Sequence, residues 1–153
     1  MNLEETYDKN ATQLYRHALV LTKNHADAED VLQSVFVKLA VRLRAGTEVR
    51  DSEAYLHTAI RRAAVRVVER RRPGIVGSAV VVAKNGLAPE ATDQLNDALR
   101  RLPAEQSEVL MLHVYENMTF SRIGEVLGIP ADTAASRYRY AKNKLKEWLR
   151  DDG

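Results

Sequence analysis

The chain contains no cysteine, which excludes disulfides, thiolate-ligated zinc and any thiol redox switch. It has no apolar run long enough to cross a bilayer, so membrane insertion is not expected. Its opening, MNLEETYDKN, is acidic and polar, unlike a secretory leader. A cytoplasmic location fits these absences. Also missing are the HExxH, CxxC and GxGxxG patterns and the phosphate-loop signature. The four histidines, His17, His25, His57 and His113, are scattered without ligand spacing. No metal, no cofactor and no independent enzyme are therefore expected. Proline and glycine are sparse, at four and seven in 153 residues, and leave room for long uninterrupted helices.

What is present is 45% apolar residues, enough for packed cores, and a net charge of only +2. The distribution of that charge is more informative than its sum. Residues 1–72 hold 13 Lys/Arg against 10 Asp/Glu, and residues 94–153 hold nine against nine. Arg61, Arg62, Arg66, Arg70, Arg71 and Arg72 crowd into one stretch beside a single glutamate, Glu69. Favourable charge at a helix C-terminus explains one or two of them. Arginine forks also match phosphate oxygens, and the excess favours phosphate contact.

The periodicity predicts an all-α fold of two small helical domains, 1–72 and 94–153, joined by a flexible linker, 73–93. Residues 3–22 form the first helix, with Tyr7, Ala11, Leu14, Tyr15, Ala18, Leu19 and Leu21 recurring at helical spacing. Asn24 caps a second, from Ala26 to about Arg44, with Ala28, Val31, Leu32, Val35, Phe36 and Leu39 inward and Asp30, Gln33, Ser34 and Lys38 outward. A polar loop, Ala45 to Asp51, precedes a third helix capped by Ser52 and running to about Arg72. Its apolar contacts come from Ala54, Leu56, Ala59, Ile60, Ala63, Val67 and Val68. The linker carries an apolar patch, Ala79 to Ala83, that reads equally as a short strand or a docking segment.

In the second domain Leu95 to Leu102 is one helix, and Pro103 starts another running to about Glu116, with Val109, Leu110, Leu112 and Val114 for packing. The stretch NMTFSRIGEVLGIPADTAASRYRYAKNKLK then reads as a helix-turn-helix. Thr119 caps the first helix, and Ile123, Val126 and Leu127 form its apolar face. Gly128 closes it in the left-handed conformation, and Pro130 opens the next. Along that helix Ala134, Tyr138, Ala141, Leu145 and Trp148 make the inward stripe. The other side presents Thr133, Ala135, Ser136, Arg137, Arg139, Tyr140 and Asn143, a surface suited to a major groove.

Together the halves resemble a bacterial RNA polymerase sigma factor of the extracytoplasmic-function (ECF) group. The stretch LYRHALVLTKNHADAEDVLQSVFVKLA is similar to the family's region 2, above all in Asp27-Ala28-Glu29-Asp30 followed by Gln33. SEAYLHTAIRRAAVRVVERRR resembles its promoter-melting helix, and LPAEQSEVLMLHVYENMTFSRIGEVLGIPADTAASRYRYAKNKL its region 4. The resemblance implies that Asp30, Gln33 and Ser34, with Lys38 on the same face, dock on core polymerase. It implies that Arg50, Ser52, Tyr55, His57, Thr58, Arg61, Arg62 and Arg66 bind the −10 strand. It further implies that Thr119, Thr133, Ala135, Ser136, Arg137, Arg139 and Tyr140 meet the −35 duplex. The implied partners are core RNA polymerase, promoter DNA and an anti-sigma factor. Tyr55 stands where the family usually has tryptophan, and Arg62 where it has asparagine. Pro130 replaces the usual cap, while Ala134 and Ala135 replace a β-branched and a basic residue, leaving fewer phosphate anchors. The competing reading is a stand-alone helix-turn-helix regulator that does not bind polymerase. A further one is an interaction module that has lost DNA function.

Overall fold

The computed structural model describes residues 2–71 and 93–151. Arg72, the expected linker up to residue 92 and its Ala79–Ala83 patch lie outside the described residues. Seven α-helices and no strands occur among the residues described: α1 (Leu3–Thr22), α2 (His25–Arg44), α3 (Ser52–Arg71), α4 (Asp93–Arg101), α5 (Ala104–Val114), α6 (Phe120–Leu127) and α7 (Ala131–Asp151).

The helix ends follow from local chemistry. Asn2 caps α1 by accepting from the Glu4 and Glu5 amides, and Asn24 caps α2 by accepting from the Asp27 amide. The cap of α3 is Asp51, which accepts from the Ala54 amide at 3.1 Å, so Ser52 is the first helical residue and not the cap expected. An aspartate directly before a serine offers two capping candidates, and the carboxylate takes the position. Pro103 precedes α5 with no side-chain cap. Thr119 caps α6 and Gly128 closes it at φ 71°.

Helices α1, α2 and α3 pack on one another, and α4, α5 and α6 gather around α7. The expected inward stripes of α2 and α7 are buried or half-buried, centred on Leu39, Ala134 and Ala141 at full burial. Three apolar residues expected inside face outward: Tyr7, Val68 and Val114. Tyr7 still sets its ring edge-on to Phe36, 4.9 Å away. On α3 the fully buried alanine is Ala64, one position from the expected Ala63. Two further contacts join the groups of helices, α1 against α5 and α3 against α6, so the halves share a packed seam.

Candidate functional site

Three surfaces gather the residues singled out above. On α2, Asp30, Gln33, Ser34 and Lys38 are all exposed on one side, beside the exposed apolar pair Val37 and Val41. Two shallow hollows run between this face and α3. One, of about 310 Å³, is lined by Asp30, Ser34, Lys38, Arg66 and Arg70 among others. The other, of about 160 Å³, is lined by Lys38, Arg42, Tyr55, Thr58, Arg62 and Arg66. Within it the Arg42 guanidinium lies 5.3 Å from the Tyr55 ring centroid. With Lys38, Arg62 and Arg66 lining the same hollow, the cations suit a phosphate backbone and the ring an unstacked base. Lys38 lines both hollows, so the face expected to meet polymerase runs directly into the one expected to meet DNA.

Of the remaining residues of the −10 set, Thr58 edges that hollow, while Arg50, Ser52, His57 and Arg61 lie outside it. Arg50 is exposed in the loop, and Ser52 is half-buried at the start of α3. Thr58 donates to the Val126 carbonyl of α6 at 3.1 Å. His57 is only 1% exposed, because its helix position continues the inward stripe of Ile60 and Ala64. Its Nδ1 stands 2.9 Å from Nδ1 of His17 on α1. The other nitrogen of His17, Nε2, is 2.7 Å from Glu108 Oε2 on α5. Arg61 brings Nε within 3.2 Å of both Glu108 oxygens. In this arrangement His57 is buried in the seam, and Arg61, with 37% of its side chain exposed, turns its Nε to Glu108. Of the arginine run, Arg71 is tied to Asp27 at 2.7 Å, while Arg62, Arg66 and Arg70 stay exposed.

The electrostatics of the seam follow from burial. Burial, then repulsion from His17 and Arg122, pushes the His57 pKa down to about 3. Burial alone raises the Glu108 carboxyl, but hydrogen bonds and charge from His17 and Arg61 outweigh it and leave the pKa below its usual value. At the exposed end of the seam Arg122 of α6 grips Asp51 with both terminal nitrogens, at 2.7 and 2.9 Å. The same guanidinium reaches Glu53 at 2.9 Å and Glu125 at 3.1 Å. This hold takes the Asp51 pKa down to about 2. At the far end the Lys23 ammonium donates to the Arg100 and Leu102 carbonyls at 2.9 and 3.1 Å, and burial lowers its pKa.

His17, Glu108, Arg122, Asp51 and Lys23 were not among the sequence candidates. A faint signal existed for the first: His17 lies three residues after Leu14 and four before Leu21, on a buried stripe. His57 carries the same mark.

The third surface is the helix-turn-helix. Its turn depends on Gly124, where an added Cβ would stand 2.6 Å from the Ile129 carbonyl. The Thr119 hydroxyl is spent on the Arg122 amide as a cap, at 3.1 Å. On α7, Arg139 and Tyr140 are exposed, while Thr133, Ala135, Ser136 and Arg137 are half-buried. Arg139 donates to the Ser136 hydroxyl at 3.2 Å, and Arg137 lies 3.6 Å from Glu105.

Comparison with known proteins bears on the whole chain. Residues 6–73 match the family model described as Sigma-70 region 2, and residues 92–145 the one described as Sigma-70, region 4. The ECF RNA polymerase sigma factor SigL of Mycobacterium tuberculosis is 31% identical over 162 residues, covering 96% of this chain and 88% of that protein. The chain belongs to the ECF sigma factors. RNA polymerase sigma factor SigZ of Bacillus subtilis is 23% identical across 97% of this chain and 88% of its own. The fold of this sigma factor matches that of RpoE from Bartonella quintana, solved with the anti-sigma factor NepR. That match has a TM-score of 0.76 at 22% identity and covers 98% of both chains. As a sigma factor the chain binds core RNA polymerase and directs transcription initiation at promoters. No helix among the described residues is long and apolar enough to cross a membrane.

Proposed function

We propose that this sigma factor divides its work among the three surfaces. Asp30, Gln33, Ser34 and Lys38 on α2 dock on core polymerase. Tyr55, Arg62 and Arg66, with Arg50 and Ser52 at the loop, hold the exposed −10 strand. Arg139 and Tyr140, with Thr133, Ala135, Ser136 and Arg137, read the −35 duplex. The unit boundaries of this reading are 1–72 and 94–153. The observation that carries it is the hollow that Lys38, Arg42, Arg62 and Arg66 line together with Tyr55, next to the exposed face of α2.

The chemistry fits a subunit that positions DNA and catalyses nothing itself. Unstacking a base costs on the order of a few kcal/mol per step. Stacking on an aromatic ring returns about 1–3 kcal/mol per base, and arginines add charge contact. Tyrosine at position 55 supplies the ring, and Arg62 exchanges an amide contact for a charged one. The polymerase performs the nucleotidyl transfer, in the cytoplasm. The complex of the structural neighbour with an anti-sigma factor supports a protein inhibitor of the same kind here.

The test is to mix the full chain with core polymerase and pass the mixture over a size-exclusion column. A stoichiometric complex is expected, and the Asp30→Ala, Gln33→Ala double variant is expected to lose it. No complex at micromolar concentration overturns the docking assignment and points to a free-standing DNA-binding regulator.

A further inference from the structure

The seam between the two helical groups holds a group of side chains that neither polymerase docking nor promoter reading uses. His17, His57 and Glu108 are all at most 1% exposed, yet they come from α1, α3 and α5 and meet in one hydrogen-bonded row. The row crosses the seam: two members belong to the first group of helices and Glu108 to the second. Around it stand Arg16 and its partner Glu116, 3.3 Å apart, with Arg61 on α3, Arg122 on α6 and Glu53 on α3.

The proton inventory of the row is restricted by its geometry. Two Nδ1 atoms facing each other at 2.9 Å can share one proton, donated by one ring and accepted by the other. His17 Nε2 donates to the Glu108 carboxylate at its other end. A proton added to His57 places a cation at a position only 1% exposed, with the Arg122 guanidinium among the charges that oppose it. Glu108 meets His57 only through His17, and its two oxygens are taken by His17 and Arg61.

We propose that the His57–His17–Glu108 row, which crosses the seam through Glu108, is an acid-released latch between the two DNA-reading halves. With His57 neutral the halves stay together, and a proton on His57, which water can solvate once α5 and α6 move off, separates them. Opening frees His57, Thr58 and Arg61 toward solvent and releases Asp51 and Glu53 from Arg122. The sign is consistent. The closed state holds His57 at about 3, whereas a solvated imidazole titrates near 6.5, so the closed state binds fewer protons than the open one. The latch is therefore fully set above about pH 6.5 and weakens as pH falls toward 3. Depression of the Glu108 carboxyl acts in the same direction. The inference rests on the promoter-reading assignment only for what opening exposes; the closure itself does not depend on it.

The test measures closure without DNA or polymerase. Because the chain has no cysteine, Lys9→Cys on α1 and Lys146→Cys on α7, both at exposed positions, carry a donor–acceptor dye pair with no competing thiol. Single-molecule energy transfer is read from pH 7.5 to 4.5, with helicity followed by circular dichroism. The expected result is a closed-to-open ratio that falls by up to about tenfold per pH unit below about 6.5, at constant helicity. In His57→Gln the curve is expected to flatten. A ratio unchanged down to pH 4.5, or an equal fall in His57→Gln, overturns the latch. If His57→Gln loses helicity, the wild-type titration in 1 M salt decides. There the exposed Arg122 contacts are screened, so a retained slope supports the buried row and a lost slope overturns it in favour of the Arg122 contacts.

Discussion

Two of the ion-paired ties that cross the seam are made from the same kinds of side chain in opposite surroundings. The Glu108 tie is dry: its carboxylate and His17 are fully buried, with Arg61 leaning over them. The Arg122 tie is wet: Asp51 and Glu53 are nearly half exposed, although their geometry is as close. Distance alone therefore says little about what each contributes. An exposed pair exchanges water for a partner at little net gain, whereas a buried charge must keep its partner or pay its full desolvation. The seam is thus specified at its centre and merely supported at its rim.

The comparison is broken most forcefully at Glu108. Glu108→Ala leaves His17 and Arg61 facing an apolar gap and is expected to cost about 3–5 kcal/mol in urea unfolding. Glu108→Gln keeps an acceptor for His17 and should cost less, about 1–3 kcal/mol. Equal losses in both would mean that shape, not charge, dominates the centre. Next in size is Arg122→Ala, expected to cost about 0–1 kcal/mol by the same measurement. A loss as large as that of Glu108→Ala would erase the distinction between dry and wet ties. The smallest effect is that of salt. Raising ionic strength from 0.1 to 1 M shortens the screening length from about 10 to 3 Å. The difference between wild type and Arg122→Ala should then vanish, while that of Glu108→Ala persists.

Most of the fold was legible because helices are local objects. Apolar spacing located α1, α2 and α7, and Asn24, Thr119 and Gly128 marked ends by their capping chemistry. Errors arose where two local signals competed, as with Asp51 and Ser52, or where an apolar residue sat at the rim of a stripe, as with Val68 and Val114. The exposed faces of α2 and α7 were also legible, since the residues opposite a buried stripe must face outward. The seam was not. His17 and His57 are 40 residues apart and His17 and Glu108 are 91 apart, and nothing in helical periodicity says which stripe meets which. Scattered along the sequence, these histidines offered no ligand spacing. In space two of them bring ring nitrogens within 2.9 Å. A titratable residue on an otherwise apolar stripe was the available sign, and it marks burial without naming the partner.

Lys23 ends α1 in the left-handed conformation, at φ 55°, and sends its ammonium across the seam to the Arg100 carbonyl of α4 and the Leu102 carbonyl just beyond it. At nine residues α4 is shorter than a helix that persists unaided in water, so its final turn leans on α7 and on this borrowed cation. Whenever the halves part, that turn loses its foreign cap and its amides become free to trade hydrogen for deuterium. The exchange rate at the end of α4 is then a clock for opening, readable in the native chain with no label attached.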